Sequence, residues 1–354
     1  MPAHTFAHNF TSIRNPFLSQ LAIDADRARG ESQLDFSLQI ALCSGLNIVR
    51  QVNDCEAAGD WTEVASAQFD VATEATIKKV GTNSIKLTST VAATGYVQTL
   101  LIGASAVVEP DPSGIKGQDW RDTQFLGGWQ HFATAAHFTT TGDLKVALVN
   151  YVDGSGEVLG TKINVPAPTI EDKWQRWEVD ISAENRDRVV ALRFYNNNAD
   201  AAEDIYIDGI IRYLFSNGKG PVQGQCAFYP INGTGVITRG NIVQYIHGNS
   251  GVEVAAQAAA DKVDTAGIAV IGGTGVAGGT VLACVQINGP VYARANEAIT
   301  DGAIVEWATG HEIDANDTNS EKHGFGKLMN GGNAAIDEDV LIFITPTPTD
   351  TADA

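Results

Sequence analysis

Basic residues are scarce in this chain: 23 Lys and Arg stand against 42 Asp and Glu, a formal charge of −19. So acidic a surface repels phosphate backbones and argues against a nucleic-acid partner. Cysteine is also sparse. Cys43, Cys55, Cys226 and Cys284 include no pair at the two-residue spacing of a zinc knuckle or a redox motif. Cys284 lies in an aliphatic run and reads as a small buried hydrophobe. A Cys43–Cys55 bridge is conceivable, but free thiols in a reducing compartment are the expectation. Long apolar periods of 3.6 residues are missing, which argues against a helical protein. The uncharged stretch 265–293 has the length of a membrane span, but its centre, Gly272–Thr280, holds almost no apolar bulk, and Asn288-Gly289-Pro290 interrupts the other end. No membrane partner is expected. Met1–Phe10 has neither the basic cluster nor the apolar run of a secretory leader.

What is abundant is glycine, 36 residues, in a chain that is 44% hydrophobic and 18% charged. That balance describes a globular protein with many tight turns, and the length suggests two domains plus an arm. The last third is written twice. Ile-Thr-Arg-Gly-Asn-Ile-Val-Gln-Tyr at 237–245 returns as Ile-Thr-Asp-Gly-Ala-Ile-Val-Glu-Trp at 299–307, an offset of 299 − 237 = 62 residues. Val-Leu-Ala-Cys-Val at 281–285 returns as Val-Leu-Ile-Phe-Ile at 340–344, an offset of 340 − 281 = 59. The two copies share no catalytic residue, which points to a scaffold.

Residues 1–45 read as an extended arm whose clear element is the alternating strand 34–40. A lone strand must pair with a sheet of its own chain or of a neighbour. Residues 46–215 hold about ten short alternating runs, including 84–89, 144–151, 175–181, 189–195 and 205–211, separated by Gly, Asn and Asp turns; this spacing predicts a β-sandwich. Residues 216–221 form a small, polar linker. Residues 222–346 hold the duplication, expected to fold as two half-units of one barrel, with Asn288-Gly289 turning a hairpin. Residues 347–354 are an acidic tail. The expected class is all-β: an N-terminal arm, a jelly-roll β-sandwich and a C-terminal duplicated small β-barrel.

Catalytic and cofactor motifs fare poorly. Gly273–Gly278 fits a dinucleotide fingerprint, but a strand follows where the phosphate-binding helix must start. The acidic pairs Glu109/Asp111, Glu171/Asp172 and Glu203/Asp204 read as solvated turn residues rather than a glycosidase pair. His131 and His137 lie about 20 Å apart along one predicted strand, too far to share a metal. His4 and His8 lack the helix that would bring them together. Trp120, Trp129, Trp174 and Trp177 cluster in the sandwich; they fit either core packing or, if exposed, a sugar-stacking platform. Asp208 interrupts the apolar strand 205–211. With Asp54, Glu56 and Asn83 nearby in the expected fold, it suits a hard cation held by oxygen ligands, or an outward solvated acid.

Two resemblances follow from these residues. The segments 53–61, 81–87, 173–180 and 205–210 together resemble a carbohydrate-binding-module jelly roll. That resemblance implies a structural calcium at Glu56, Asn83 and Asp208, and places glycan-binding aromatics at Trp120, Trp129 or Trp177. The repeated segments 237–243, 267–270, 291–296, 299–305 and 340–344 resemble the small β-barrel of capsid decoration and head-fibre proteins of tailed bacteriophages. This implies a non-enzymatic virion structural protein on the outer surface of the capsid head, made in the host cytoplasm. Its partners would be the major capsid protein lattice and other copies of itself, as a homotrimer or similar ring, with host surface glycans as further partners. The other reading is a lectin-like carbohydrate-binding adhesion protein.

Overall fold

The computed structural model describes residues 47–64, 69–89, 96–101, 117–133, 141–196, 203–218, 220–248, 251–256, 265–275, 281–308, 312–315, 326–329 and 332–344. The arm and its strand, His4, His8, Cys43, Glu109, Asp111, His137 and the tail 347–354 lie outside the described residues.

The described residues are almost entirely β, with one short 3-10 turn at Ala58–Asp60. Twelve strands build the sandwich: β1 (Val49–Asn53), β2 (Trp61–Val64), β3 (Phe69–Glu74), β4 (Ser84–Ser89), β5 (Tyr96–Leu100), β6 (Phe125–His131), β7 (Leu144–Val152), β8 (Gly156–Leu159), β9 (Ile163–Asn164), β10 (Gln175–Asp180), β11 (Val189–Asn196) and β12 (Glu203–Tyr213). The first sheet runs β10-β6-β12-β4-β3, with β1 added to β12. The second runs β2-β5-β11-β7-β8, with β9 added to β7. The five runs picked out by alternation all fall on strands, because a two-residue period puts every second side chain into the space between the sheets. Ile85, Leu87, Leu126, Trp177, Ile205 and Ile207 of the first sheet meet Val97, Val146, Leu148, Leu192 and Phe194 of the second in one core.

One local feature aims a polar group outward. The pairing of β12 with β6 slips between Asp208 and Ile211, where Gly209 takes a φ of +52°. Such a bulge re-orients the side chain beside it.

The final third contains β13 (Cys226–Pro230), β14 (Val236–Ile237), β15 (Ile242–Gly248), β16 (Gly251–Ala256), β17 (Thr265–Ile271), β18 (Gly273–Thr274), β19 (Leu282–Gln286), β20 (Gly289–Ala295), β21 (Ile304–Trp307), β22 (Glu312–Ala315), β23 (Gly326–Leu328) and β24 (Asp339–Ile344). The duplication is visible in the topology. The first copy orders its strands β13-β19-β17-β15-β16 and the second β20-β24-β23-β21-β22, the same path. Ile237 pairs with Gly273, as Ile299 bridges to Ala334. The copies are therefore not two halves of one barrel. Each builds its own five-stranded unit, and the second closes through a parallel pairing of β20 with β22, Arg294 opposite Glu312. Each copy has its own core, joined where Ile242 and Ile268 of the first pack into the second.

One further expectation is corrected. Asn288-Gly289 is not a hairpin turn: β19 pairs with β13 and β17, whereas β20 pairs with β24 and β22. It is the crossing between the copies. Gly289 sits at φ +105°, and a Cβ there would strike the carbonyl oxygen of Gln223. The polar linker 216–221 is tied across its ends. Ser216 bridges Pro221, Asn217 N–H bonds Gly220 O at 3.1 Å, and Ser216 Oγ donates to Glu178. Ser216 and Asn217 are buried, so their side chains must find polar partners inside. Within the uncharged stretch 265–293, residues 265–271, 273–274, 282–286 and 289–293 are strand, and no helix among the described residues is long and apolar enough to cross a membrane.

Candidate functional site

The outer face of the first sheet carries the aromatic residues the sequence draws attention to, and it is covered. Trp129 and His131 project from β6, Tyr206 from β12, and Trp174 precedes β10; Trp129, Trp174 and Tyr206 form one cluster with Ile77 and Tyr292. Tyr292 belongs to the second repeat and meets the Trp129 ring edge-on at 5.5 Å. Lys79 Nζ lies 4.8 Å and the Arg176 guanidinium 5.1 Å from the same ring. Polar contacts complete the junction. Lys79 pairs with Glu338 at 2.6 Å, Arg176 N–H donates to Asp339 Oδ2 at 2.8 Å, and Arg294 Nε approaches Asp339 Oδ1 at 3.3 Å.

A stacking platform of Trp120, Trp129 and Trp177 is therefore corrected. All three are buried, with at most 4% of the residue exposed. Trp177 points into the sandwich core and meets Phe194 edge-on at 6.1 Å. Its indole lies against Gly128, where a Cβ would come within 3.1 Å of Nε1, so a glycine mid-strand makes its room. Trp120 is roofed by Arg212 at 5.1 Å and bonds Gln118 at 3.1 Å. Burial of these rings supplies core energy on the order of 3–5 kcal/mol each and leaves no face for a sugar.

His131 lies between Trp174 and Tyr206, 3.5 Å from Asp172, and burial pulls its imidazole below its usual range against the pull of Asp172. Asp204 is not at a turn: it sits on β12 and pairs with Lys86 at 2.8 Å and with Thr88 Oγ1 at 2.6 Å. Among the described residues no three His, Cys, Asp or Glu side chains gather as a metal site. Cys55, Cys226 and Cys284 are buried and form no disulfide among the described residues.

Glu56, Asn83 and Asp208 do gather around one loop. Glu56 accepts N–H bonds from Thr82 at 2.9 Å and Asn83 at 3.0 Å, and the Thr82 hydroxyl at 2.5 Å; Asn83 Nδ2 donates back to Glu56 O at 3.0 Å. These bonds, led by the Thr82 hydroxyl, hold the Glu56 carboxyl below its ordinary range. Asp208 Oδ2 accepts the N–H groups of Lys79 and Val80, both at 2.8 Å. Its Oδ1 is buried and accepts no hydrogen bond of normal geometry. Burial raises the Asp208 carboxyl to about 6, opposed by the N–H groups of Val80, Lys79 and Gly209 and assisted by the charge of Glu56. An orphaned buried carboxylate oxygen beside a second carboxylate suits a hard cation. No third acid joins them among the described residues, so main-chain and amide oxygens would have to complete the shell.

The outer face of the second sheet is different in kind. Tyr96 of β5, Tyr195 of β11, Lys145 of β7 and Asn164 of β9 are consecutive cross-strand partners, forming one row across the sheet. The next row holds Gln98, Arg193 and Ala147. The Tyr96 and Tyr195 rings lie 5.3 Å apart, Lys162 Nζ stands 4.0 Å over Tyr195, and the Arg193 guanidinium lies 4.2 Å over Tyr96. Arg193 Nε bonds Gln98 at 2.8 Å, and Nη2 reaches Glu157 at 3.1 Å. Burial raises the Tyr195 hydroxyl above its usual range. Tyr96 is half-buried, so part of one aromatic residue stays accessible beside the Arg193 guanidinium and the Gln98 amide. Sequence reasoning missed this group because 195 − 96 = 99 residues separate its two tyrosines; only sheet register joins them. A mixed cation–aromatic alternation along 193–195 is the one local signal. Beyond the Tyr151 end of the face lies a shallow cavity of about 300 Å³ lined by Tyr151, Val152, Asp153, Asn185, Asp187 and Arg188.

No model of a known protein family matches the chain, and no curated protein matches it. Among solved structures, the chain is similar to the family 11 carbohydrate-binding module from Clostridium thermocellum in complex with a beta-1,3-1,4-mixed-linked tetrasaccharide. That likeness covers 46% of this chain and 94% of the module, at 13% identity and a TM-score of 0.33. The CBM22-1 xylan-binding domain from Paenibacillus barcinonensis is similar over 47% of this chain and 93% of its own, at 15% identity and a TM-score of 0.31. At these identities and scores the likenesses carry no argument about ligand or activity.

Proposed function

We propose that this is a non-catalytic binding protein that recognises a glycan across the outer face of the second sheet. The observation that carries this reading is the Tyr96–Tyr195 pair set in a row with Lys145 and Asn164 and flanked by Arg193 and Gln98. Sugars are bound by an aromatic ring against their C–H face and by planar amide or guanidinium groups against their hydroxyls. The sequence resemblance to carbohydrate-binding modules supports the same reading, with the ligand on the opposite face of the sandwich from Trp129. A glycan array with the wild type and with Tyr96→Ala tests it. Binding that is lost in Tyr96→Ala is the expected result; an array with no wild-type signal rejects the reading.

A second reading concerns where the protein works. The C-terminal repeats resemble capsid decoration and head-fibre proteins, and they leave Val236, Ile271, Leu282, Ile304 and Phe343 exposed. Exposed apolar side chains of this kind suit docking on a larger surface. The proposal is a virion structural protein on the outer capsid of a tailed virus, bound to the major capsid protein lattice, self-associated as a trimer or similar ring, and displaying the sandwich. Co-sedimentation with intact heads is expected; recovery only as a free monomer counts against it.

Calcium at Asp208 Oδ1, with Glu56 and Asn83, is the proposed structural ion. The buried, unpartnered Oδ1 supports it. Chelation is expected to lower the melting temperature.

A further inference from the structure

We infer that the glycan read by the second sheet is acidic, a uronic-acid or sulfated chain rather than a neutral one. This rests on the glycan reading above and deepens it. In a protein with 42 acidic and 23 basic residues, this face gathers Lys145 of β7, Arg193 of β11 and Lys162, just before β9, about the two tyrosines, with Glu157 of β8 as the acid bound to Arg193. Among the described residues Lys145 and Lys162 enter no ion pair, and of the three cations Arg193 alone meets an acid there. That bond uses Nη2, with Nε on Gln98; Nη1 takes part in neither.

The placement is specific. Lys145 lies directly beside Tyr195 in the cross-strand row, Lys162 stands over the Tyr195 ring, and Arg193 lies over Tyr96. A sugar ring seated against the exposed part of Tyr96, beside the Arg193 guanidinium, would have cations along its edge. A carboxylate or sulfate there meets charge-assisted donors, and its hydroxyls meet Gln98 and Asn164. A neutral sugar would leave the ammonium and guanidinium groups partly desolvated without a counter-charge, which disfavours it.

The test is a panel of matched glycans: oligogalacturonates with their methyl esters, and sulfated glycans with their desulfated counterparts, titrated against the full chain by calorimetry. Polyglutamate serves as a polyanion that is not a sugar. Acidic members are expected to bind at least about tenfold more tightly than their neutralised partners, the scale of one charge-assisted bond. Lys162→Gln, on an exposed side chain, and Arg193→Gln are expected to erase that difference while the far-ultraviolet spectrum stays unchanged. Equal binding of acidic and neutralised members overturns the inference and leaves the glycan reading standing. Polyglutamate binding as well as the acidic sugars overturns it too, because charge alone would then be read. No binding by any member removes both.

Discussion

Asp208 is a carboxylate in a place that favours its proton, and the consequence is measurable. Its folded value, about 6, lies above the ordinary 3.8. A raised acid contributes its stability below the ordinary value and loses it as pH rises through the folded value. Without added metal, the wild type is expected to lose stability between about pH 4 and 7, and Asp208→Asn to flatten that slope, as read by calorimetric melting. Bound calcium reverses the sign, because the ion needs the ionised form. Calcium should then raise the wild-type melting temperature near pH 7 and leave Asp208→Asn unmoved; indifference of the wild type to a chelator removes the ion. Two aromatic truncations separate core from surface. Trp177→Ala empties a fully buried position and should cost about 3–5 kcal/mol in denaturant unfolding. Tyr96→Ala should cost far less and abolish glycan binding. The sequence leaves the tryptophans as either core or ligand residues, because composition does not say which side of a strand a ring occupies. Their burial follows from Gly128 on one side and from Lys79, Arg176 and Tyr292 on the other.

At the level of strands, alternation was enough to place β4, β7, β10, β11 and β12, because each has one face in the core. The repeat was equally legible, since its matching segments take matching places in two sheets of identical order. What alternation could not supply was partnership. Asn288-Gly289 has the composition of a hairpin turn, yet the strands on either side belong to different repeats, because each repeat keeps its own pairing. That junction yields a prediction. Gly289→Ala forces a side chain into φ +105° and against Gln223 O, and is expected to cost about 2 kcal/mol or more by urea midpoint. Gly154→Ala, at φ +80° with no atom near the new Cβ, isolates the backbone strain and should cost about 1 kcal/mol. Equal losses would show that the approach of Gln223 is immaterial. The candidate binding face was the least legible feature, because its residues come from β5, β7, β9 and β11 and meet only through register.

The sandwich and the second repeat are expected to melt as one body. Buried Asp339, accepting the Arg176 N–H and facing Arg294, and Glu338, paired with Lys79, tie the barrel to the first sheet. Removing one partner of a buried pair costs about 3–5 kcal/mol. Asp339→Ala should therefore split a single calorimetric transition into two, and a transition that stays single would mean that the aromatic contact of Trp129 with Tyr292 suffices. Such a junction also gives the molecule a direction. With one sheet of the sandwich pressed against the repeats, the other faces away from them, so anything that fastens the repeats to a support turns the tyrosine row toward the surroundings. Orientation is then a property of the fold itself. Copies fixed side by side would all look outward, and weak contacts to a long polymer would add across the array as avidity rather than as affinity.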